Sequence, residues 1–406
     1  MVITKRSINN FVLFLFLLIC IFFPADPYNL KPVTLMFLFI INGLCIAKKI
    51  GVPNYKPVLL MGLVYPILIM MQSIALTGNI RSSISGAYSP VILILLIPIV
   101  EYNLDYKKQV LFLLKIMAIS VLLIVIADAI GALNVNGSNI VRNSFYTFGM
   151  GIMGKSKAYS SYYKIFFKAS PLLVLLLDDS ISKQDYKWII ISFSALWLTG
   201  TRANVFSALI ILFFRYGIWN DSKKLSRYLI GAAILAISLF NVRQIYDIIV
   251  NQMNTSGALA SDLVRQGELM AYKEMLSHPI KLIFGSGFGS SFYNYGRNSS
   301  VYTSELSYLE LIRCIGLIFA IPFFIFIFNP IFSRKVKMDY KLSFICYLLI
   351  AATNPLLFSS TAMIMYMFLY EDMIKVIDYD GNLGSIDGKP NPKIRFVVGK
   401  RSVFRY

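Results

Sequence analysis

The chain alternates long apolar runs with short polar connections over nearly its whole length. Each run approaches the roughly 20 residues that a helix needs to cross a bilayer, or reaches that length when flanking Gly, Ser, Thr and Tyr residues are included. The pattern therefore predicts an all-α polytopic membrane protein with about twelve transmembrane helices. The predicted spans lie at about 11–24, 33–47, 57–76, 88–101, 109–132, 164–178, 186–200, 203–219, 226–242, 306–329, 341–357 and 359–375.

Two connections between the predicted spans are long, at about 133–163 and 243–305. The first has aromatic and small residues but no pattern of a compact core, which favours a segment on the membrane surface or dipping into it. The chain therefore divides into a single membrane domain, 1–378, and a polar tail, 379–406. The tail contains Gly and Pro, and its composition predicts a loosely ordered segment.

The second long connection carries the clearest local pattern outside the spans. Apolar residues recur at near-helical spacing from Ser261 to His278, with Ser261 or Asp262 as the N-cap and Pro279 at the end. The glycine cluster "GSGFG" that follows predicts a tight loop. No strand precedes it and no βαβ unit surrounds it, so it is not a dinucleotide-binding motif.

Composition agrees with a membrane protein. Hydrophobic residues make up 57% of the chain and charged residues 15%, against about 25% charged in soluble domains. The net charge of +19 is concentrated in alternate connections, which places both termini in the cytoplasm and puts the two long loops outside. The basic excess therefore indicates topology and contact with anionic lipid, not nucleic-acid binding.

The sequence contains no pattern typical of a metal site or a cofactor site. The cysteines fall inside apolar runs without the spacing of metal ligands, so they predict packing residues and neither a disulfide nor a zinc site. The long loops contain no DxD-type carboxylate cluster. We therefore predict neither a metal nor a cofactor. The cysteines are Cys20, Cys45, Cys314 and Cys346.

Arginines gather on the predicted extracytoplasmic face. Guanidinium forks match the oxygens of a phosphate, so the set suits an anion such as a lipid-linked pyrophosphate. The structural alternative for each is an interfacial side chain or an ion pair with Asp262, Glu268 or Glu305. Arg202 is the strongest candidate, because the turn "TGTRAN" is too short to let its side chain reach far into water. The arginines are Arg142, Arg202, Arg265, Arg297 and Arg313.

Three other side chains could take part in chemistry at this face. Glu305 is one of the few extracytoplasmic carboxylates and could act as a general base, or it could form an ion pair with Arg313 or Arg297. His278 precedes a proline at a helix end, which favours a structural cap. Tyr308 could stack on a sugar, although interfacial aromatic belts are the common alternative.

Four stretches resemble the O-antigen ligase and O-antigen polymerase superfamily of bacterial inner-membrane proteins. They are "LTGTRANVFSALI", "LVRQGELMAYKEMLSHPIKLIFGSGFG", "TSELSYLELIRCIGLI" and "AATNPLLFSSTAMIMYMFLYE". The resemblance covers about 200–370, and the first five spans match only in number and hydropathy. The order of the stretches along the chain carries the resemblance more than any one of them.

The resemblance implies a GT-C-like, metal-independent glycosyltransferase that acts on undecaprenyl-pyrophosphate-linked sugars at the outer face of the inner membrane. It implies that Arg202 and Arg265 bind the pyrophosphate. The ligase branch uses a histidine where this chain has Ser304–Tyr308, so the departure favours a polymerase with Glu305 as the base. Substrate-binding roles fall to Arg142, Arg297, Tyr308 and Arg313.

Three alternatives remain beside an O-antigen polymerase. A ligase would move a finished glycan onto an acceptor, a flippase or transporter would carry the lipid-linked unit across the membrane, and a scaffold would have no activity. A polymerase implies a chain-length regulator and a flippase as partners, besides membrane lipids.

Overall fold

A computed structural model of the chain describes residues 4–135, 138–155, 163–218 and 256–381. Helices account for most of these residues, and the strands are short. The predicted ninth span at 226–242, the start of the second long loop and nearly all of the predicted tail at 379–406 lie outside the described residues.

Within the described ranges, six helical segments have the length and the apolar composition to cross a membrane, and the last of them is interrupted by a bend. The chain is therefore a mostly helical protein with membrane-spanning character, as the hydropathy pattern predicts. The first five match the first five predicted spans, although the fourth begins earlier than expected. The six helices are Lys5–Phe22, Leu30–Lys48, Pro53–Thr77, Ile80–Glu101, Tyr106–Ala129 and Ser307–Phe332.

The other helices of the core are mostly shorter than a membrane span, and many of their side chains are buried. Hydropathy windows register their apolar content but not where each helix begins and ends, so twelve full-length spans do not follow from the pattern. The helices are Leu173–Ser182, Tyr186–Leu198, Arg202–Leu212, Met338–Ala351 and Ser360–Gly381.

The predicted sixth span at 164–178 is wrong in its first part. Residues Tyr163–Phe167 form a strand that pairs antiparallel with Gly151–Lys155, and the helix starts only at Leu173. Ile165 and Phe167 are buried on one face of this strand, which is the period of two that a half-buried strand shows. The apolar count alone could not separate this strand from a helix.

The first long loop packs on the helical core. It contains the short hairpin Asn134–Val135 with Ser138–Asn139, the helix Ile140–Thr147 and the hairpin just described. The rings of Phe145 and Phe167 lie 4.7 Å apart, and Phe167 also contacts Phe22 at the end of the first helix. The loop therefore has buried aromatic anchors that its sequence did not reveal.

The helix Ser307–Phe332, here called the bent helix, is not continuous. Gly316 has φ 68° and ψ 171°, outside the helical region. The rings of Tyr308 and Phe324 lie 5.8 Å apart, whereas sixteen residues of straight helix would separate them by about 24 Å. The segment before Gly316 therefore folds back beside the segment after it, and Arg313 lies before the bend.

The glycine loop holds the bend in place. The backbone N–H groups of Ser286 and Gly287 donate to the carbonyls of Arg313 and Cys314, at 2.7 and 2.9 Å. These carbonyls would otherwise be left without partners where the helix breaks. A Cβ on Gly316 would lie 2.2 Å from the carbonyl oxygen of Ile283, so only glycine allows the two backbones to approach this closely.

The described part of the second long loop forms three elements. The loop helix, Ser256–Leu276, begins earlier than the predicted N-cap at Ser261, since the alanines of "GALAS" favour helix over a break. Pro279 begins the next short helix, Pro279–Phe284, at a position that proline favours. The loop hairpin, Phe292–Asn294 with Ser299–Val301, follows the glycine loop.

Candidate functional site

Arg265 lies on the loop helix, and the loop hairpin presses directly against this helix. A Cβ on Gly267 would lie 1.9 Å from the backbone nitrogen of Gly296, and one on Gly296 would lie 2.1 Å from the carbonyl of Leu263. Two glycines thus bring the turn of the hairpin onto the backbone of the helix. This contact places Arg297, the residue after Gly296, beside Arg265.

The turn that carries Arg297 is shaped by Asn294. The Asn294 side-chain oxygen accepts hydrogen bonds from the backbone N–H groups of Gly296 and Arg297, at 2.9 and 3.1 Å. This is the local bonding by which asparagine stabilises a turn. Asn294 is fully buried, so the position of Arg297 depends on a fixed side chain.

Glu305 lies between the two arginines. Its Oε2 is 3.3 Å from Nη2 of Arg265, and its Oε1 is 3.8 Å from Nη2 of Arg297. The three side chains, here called the surface cluster, are between 28% and 46% exposed. The distances exceed the 2.7–2.9 Å of a tight charge-assisted hydrogen bond, so these ion pairs are open to exchange with another anion.

A second carboxylate lies directly beneath the surface cluster. Glu268 is only 1% exposed and accepts a hydrogen bond of 2.7 Å from the hydroxyl of Ser304. Burial raises the pKa of Glu268 above its ordinary value, and Glu305 adds to this effect. Sequence reasoning considered Glu268 only as an ion-pair partner, although its spacing of three residues from Arg265 puts both on neighbouring turns of one helix face.

Arg313 belongs to a different environment, here called the buried cluster of Tyr272, Glu310 and Arg313. Its Nε and Nη2 donate to the two oxygens of Glu310, both at 2.7 Å. The hydroxyl of Tyr272 donates to the same carboxylate at 2.8 Å. The remaining donors of the guanidinium bond the Ser290 side chain and the carbonyls of Ser290 and Tyr302. The arginine therefore ties the loop hairpin to the bent helix.

The other sequence-predicted residues lie on separate elements. Arg202 begins the helix Arg202–Leu212 on an exposed surface, and this helix bonds the helix Met338–Ala351 through Ser207. Arg142 is exposed on the helix Ile140–Thr147 of the first loop. Both stay predictions as ligands of the same substrate.

Tyr308 and His278 both lie where a structural role accounts for their position. The hydroxyl of Tyr308 donates to the carbonyl of Leu348 at 3.2 Å, and its ring packs on Phe324. A role in sugar stacking stays a prediction. His278 was expected to cap the end of the loop helix, but it occupies the N-cap position of the next helix, Pro279–Phe284, and its side chain makes no capping hydrogen bond.

The structural alternative predicted for Glu305, an ion pair with Arg313 or Arg297, is confirmed for Arg297. Glu305 does form an ion pair with Arg297, whereas Arg313 pairs with Glu310 instead. Among the described residues, no group of three or more His, Cys, Asp or Glu side chains is arranged to hold a metal ion.

No protein-family model, curated protein or solved structure matches this chain. Two guanidiniums from different elements converge on one partly exposed carboxylate. Such a site can bind an anion that displaces the carboxylate, and the displaced carboxylate is then beside the bound anion and able to accept a proton.

Proposed function

We propose that this protein is a membrane glycosyltransferase that polymerises lipid-linked oligosaccharide repeat units. The convergence of Arg265 and Arg297 on Glu305 is the observation that carries the proposal. The arginines suit the pyrophosphate of a polyprenyl-linked donor, and Glu305 suits the role of general base. The resemblance to O-antigen polymerases supports the same reading.

The reaction would exchange one ion pair for another. The donor pyrophosphate would displace Glu305 from Arg265 and Arg297, and Arg202 would supply a further guanidinium. The acceptor hydroxyl would attack the anomeric carbon and lose its proton to Glu305 while the bond from that carbon to the pyrophosphate oxygen breaks. Attack from the side opposite the leaving group would invert the anomeric centre.

The arginines would supply the electrostatic part of this catalysis. Negative charge grows on the pyrophosphate as the glycosidic bond breaks, and fixed cations stabilise this charge more in the transition state than in the ground state. The proposal needs no divalent cation, because the guanidiniums take that role.

The protein would have about twelve spans in a GT-C-like arrangement, lie in the bacterial inner membrane with both termini in the cytoplasm, and present the surface cluster at the outer face. Undecaprenyl-pyrophosphate-linked oligosaccharides would be the substrates. A flippase and a chain-length regulator would be the partners, since a polymerase needs delivery of units and a limit on length.

The decisive experiment combines purified protein with lipid-linked repeat units in EDTA. A ladder of products that Arg265→Lys abolishes would support the proposal, since lysine cannot make a bidentate contact with phosphate. Arg81→Lys is the matched control, because Arg81 is exposed on a different helix, Ile80–Ala87, and the ion pairs of Glu305 are made by Arg265 and Arg297. Transfer of whole glycans to an acceptor without a ladder would indicate a ligase.

A strain that lacks the protein distinguishes a polymerase from a flippase or transporter. Loss of a polymerase leaves single repeat units on the outer lipid anchor. Loss of a flippase leaves the units on the cytoplasmic side, so their absence from the outer face would reject the polymerase and favour the transporter.

A further inference from the structure

Glu268 is not a member of the surface cluster, but its contacts connect it to every member of the cluster. Its carboxylate accepts from the Ser304 hydroxyl at 2.7 Å and from the Asn294 amide at 3.4 Å. The backbone N–H of Glu305 also lies close enough to favour its charged form. Three donors from two segments thus converge on one buried carboxylate.

Each contact leads to a member of the cluster. Ser304 directly precedes Glu305, so its hydroxyl and the Glu305 amide fix the base from two sides. Asn294 holds the N–H of Arg297 with its own side-chain oxygen. Arg265 lies three residues before Glu268 on the loop helix, so the carboxylate connects all three side chains.

We propose that Glu268 is a positioning residue that sets the distances among Arg265, Arg297 and Glu305, an inference that rests on the proposed function of this site. The loop helix and the loop hairpin approach so closely at Gly267 and Gly296 that the donors facing the helix depend on a side chain of the helix for an acceptor. Without the carboxylate these donors would be left unsatisfied and the hairpin would lose its fixed place.

A carboxylate is required because the groups that bond to it are donors. Both of its oxygens accept, whereas glutamine offers one acceptor oxygen and turns an amide group toward the other donors. Glu268→Gln should therefore rescue part of the function that Glu268→Ala loses. The matched control is Glu274→Gln, since Glu274 joins the same helix to the same hairpin on the exposed side, accepting from Tyr295 at 2.6 Å.

Two measurements on detergent-solubilised full-length protein test this role. Hydrogen exchange followed by mass spectrometry reports the peptides covering 292–306. Calorimetric titration with inorganic pyrophosphate reports the dissociation constant, which does not depend on how much of the sample is folded. A purely structural defect would lower the number of binding sites and leave the dissociation constant unchanged.

Glu268→Ala should exchange at least 10-fold faster over 292–306 and bind pyrophosphate at least 10-fold more weakly. Glu268→Gln should give smaller changes in both, and Glu274→Gln should match the wild type. Ser304→Ala removes a single donor and should weaken binding even if Glu268→Ala does not fold.

Three results would overturn the assignment. Unchanged exchange over 292–306 in a Glu268 variant would show that the carboxylate does not hold the hairpin. Faster exchange with unchanged pyrophosphate affinity would show that its role is structural only. Wild-type protein that does not bind pyrophosphate would refute the anion site of the proposed function and the positioning role with it, whereas the first two results leave the proposed function intact.

Discussion

The surface cluster and the buried cluster use the same kinds of side chain in opposite ways. Arg313 and Glu310 are joined by two hydrogen bonds of 2.7 Å, and the Arg313 side chain has no exposed surface. Arg265 and Arg297 lie 3.3 and 3.8 Å from Glu305 and remain partly exposed. Both clusters include a residue of the loop helix, yet only the surface cluster has arginines that are partly exposed.

The difference separates a structural arginine from a candidate ligand-binding arginine. A buried guanidinium must have its charge and donors satisfied within the protein, because water cannot reach it. A partly exposed guanidinium can exchange its carboxylate for another anion at little cost. The buried cluster thus holds the loop hairpin on the bent helix. The positions of the surface-cluster side chains depend on this attachment.

Glu310→Gln should give the largest effect on stability. The substitution leaves Arg313 buried without a countercharge, which typically costs about 3–5 kcal/mol. Thermal unfolding in detergent measures the loss of stability. Glu305→Gln is the comparison, because the exposed ion pairs of Glu305 contribute about 1 kcal/mol or less. Equal losses in the two variants would contradict the division between the clusters.

Glu305→Gln should instead give the largest effect on activity at small cost in stability. Glutamine keeps the shape but cannot accept the proton, and loss of a general base typically lowers the rate by about 100-fold or more. Polymer formed per minute by folded protein measures this effect. A variant with nearly wild-type turnover would remove Glu305 from the mechanism.

Gly316→Ala tests how firmly the bend supports the buried cluster. The new methyl group would meet the carbonyl of Ile283, and the backbone conformation at Gly316 is one that only glycine adopts easily. We expect a loss of about 1–3 kcal/mol. Gly43→Ala is the control, because Gly43 lies in a helix with no atom within 4 Å of the added methyl, where alanine stabilises by about 0.5–1 kcal/mol. Similar shifts in both variants would contradict the tight contact at the bend.

The sequence predicted the parts of the fold that depend on local composition. The first five spans follow from apolar length, and the end of the loop helix follows from Pro279, because proline cannot continue a helix. The start of the sixth span was wrong because an apolar strand and an apolar helix have the same hydropathy. The bend at Gly316 was missed because its cause lies in a distant segment, the glycine loop.

The candidate site was predictable only in its residue types. An excess of extracytoplasmic arginines indicated an anion site, and the structure joins two of them, Arg265 and Arg297, to the predicted base. Sequence alone could not separate Arg313 from this group, because its spacing of three residues from Glu310 allows a helical ion pair but its burial depends on the fold. Glu268 was underestimated for the same reason, because its donors Ser304 and Asn294 are distant along the chain.

The smallest expected effect is a pH dependence of stability from Glu268. This carboxylate is buried, like the buried cluster, but it contacts residues of the surface cluster. Burial, followed by repulsion from Glu305, raises its pKa above the ordinary value of 4.5, while hydrogen bonds from Ser304 and the Glu305 amide and the charge of Arg297 act in the opposite direction. The folded state therefore binds this proton more tightly than the unfolded state does. The resulting stabilisation is fully present below the ordinary value and is lost as the pH rises through the pKa of the folded protein.

Glu268→Gln removes this titration. The difference in unfolding temperature between wild type and variant should therefore shift against the wild type as the pH rises from below 4.5 and become constant at higher pH. Glu274→Gln, on the exposed side of the same helix, is the reference for effects of charge alone. A difference that stays flat through this range would mean that the donors of Glu268 offset the penalty of burial. A difference that rises with pH would mean that the donors outweigh burial, and the environment of Glu268 would then resemble that of Glu310 more than that of Glu305.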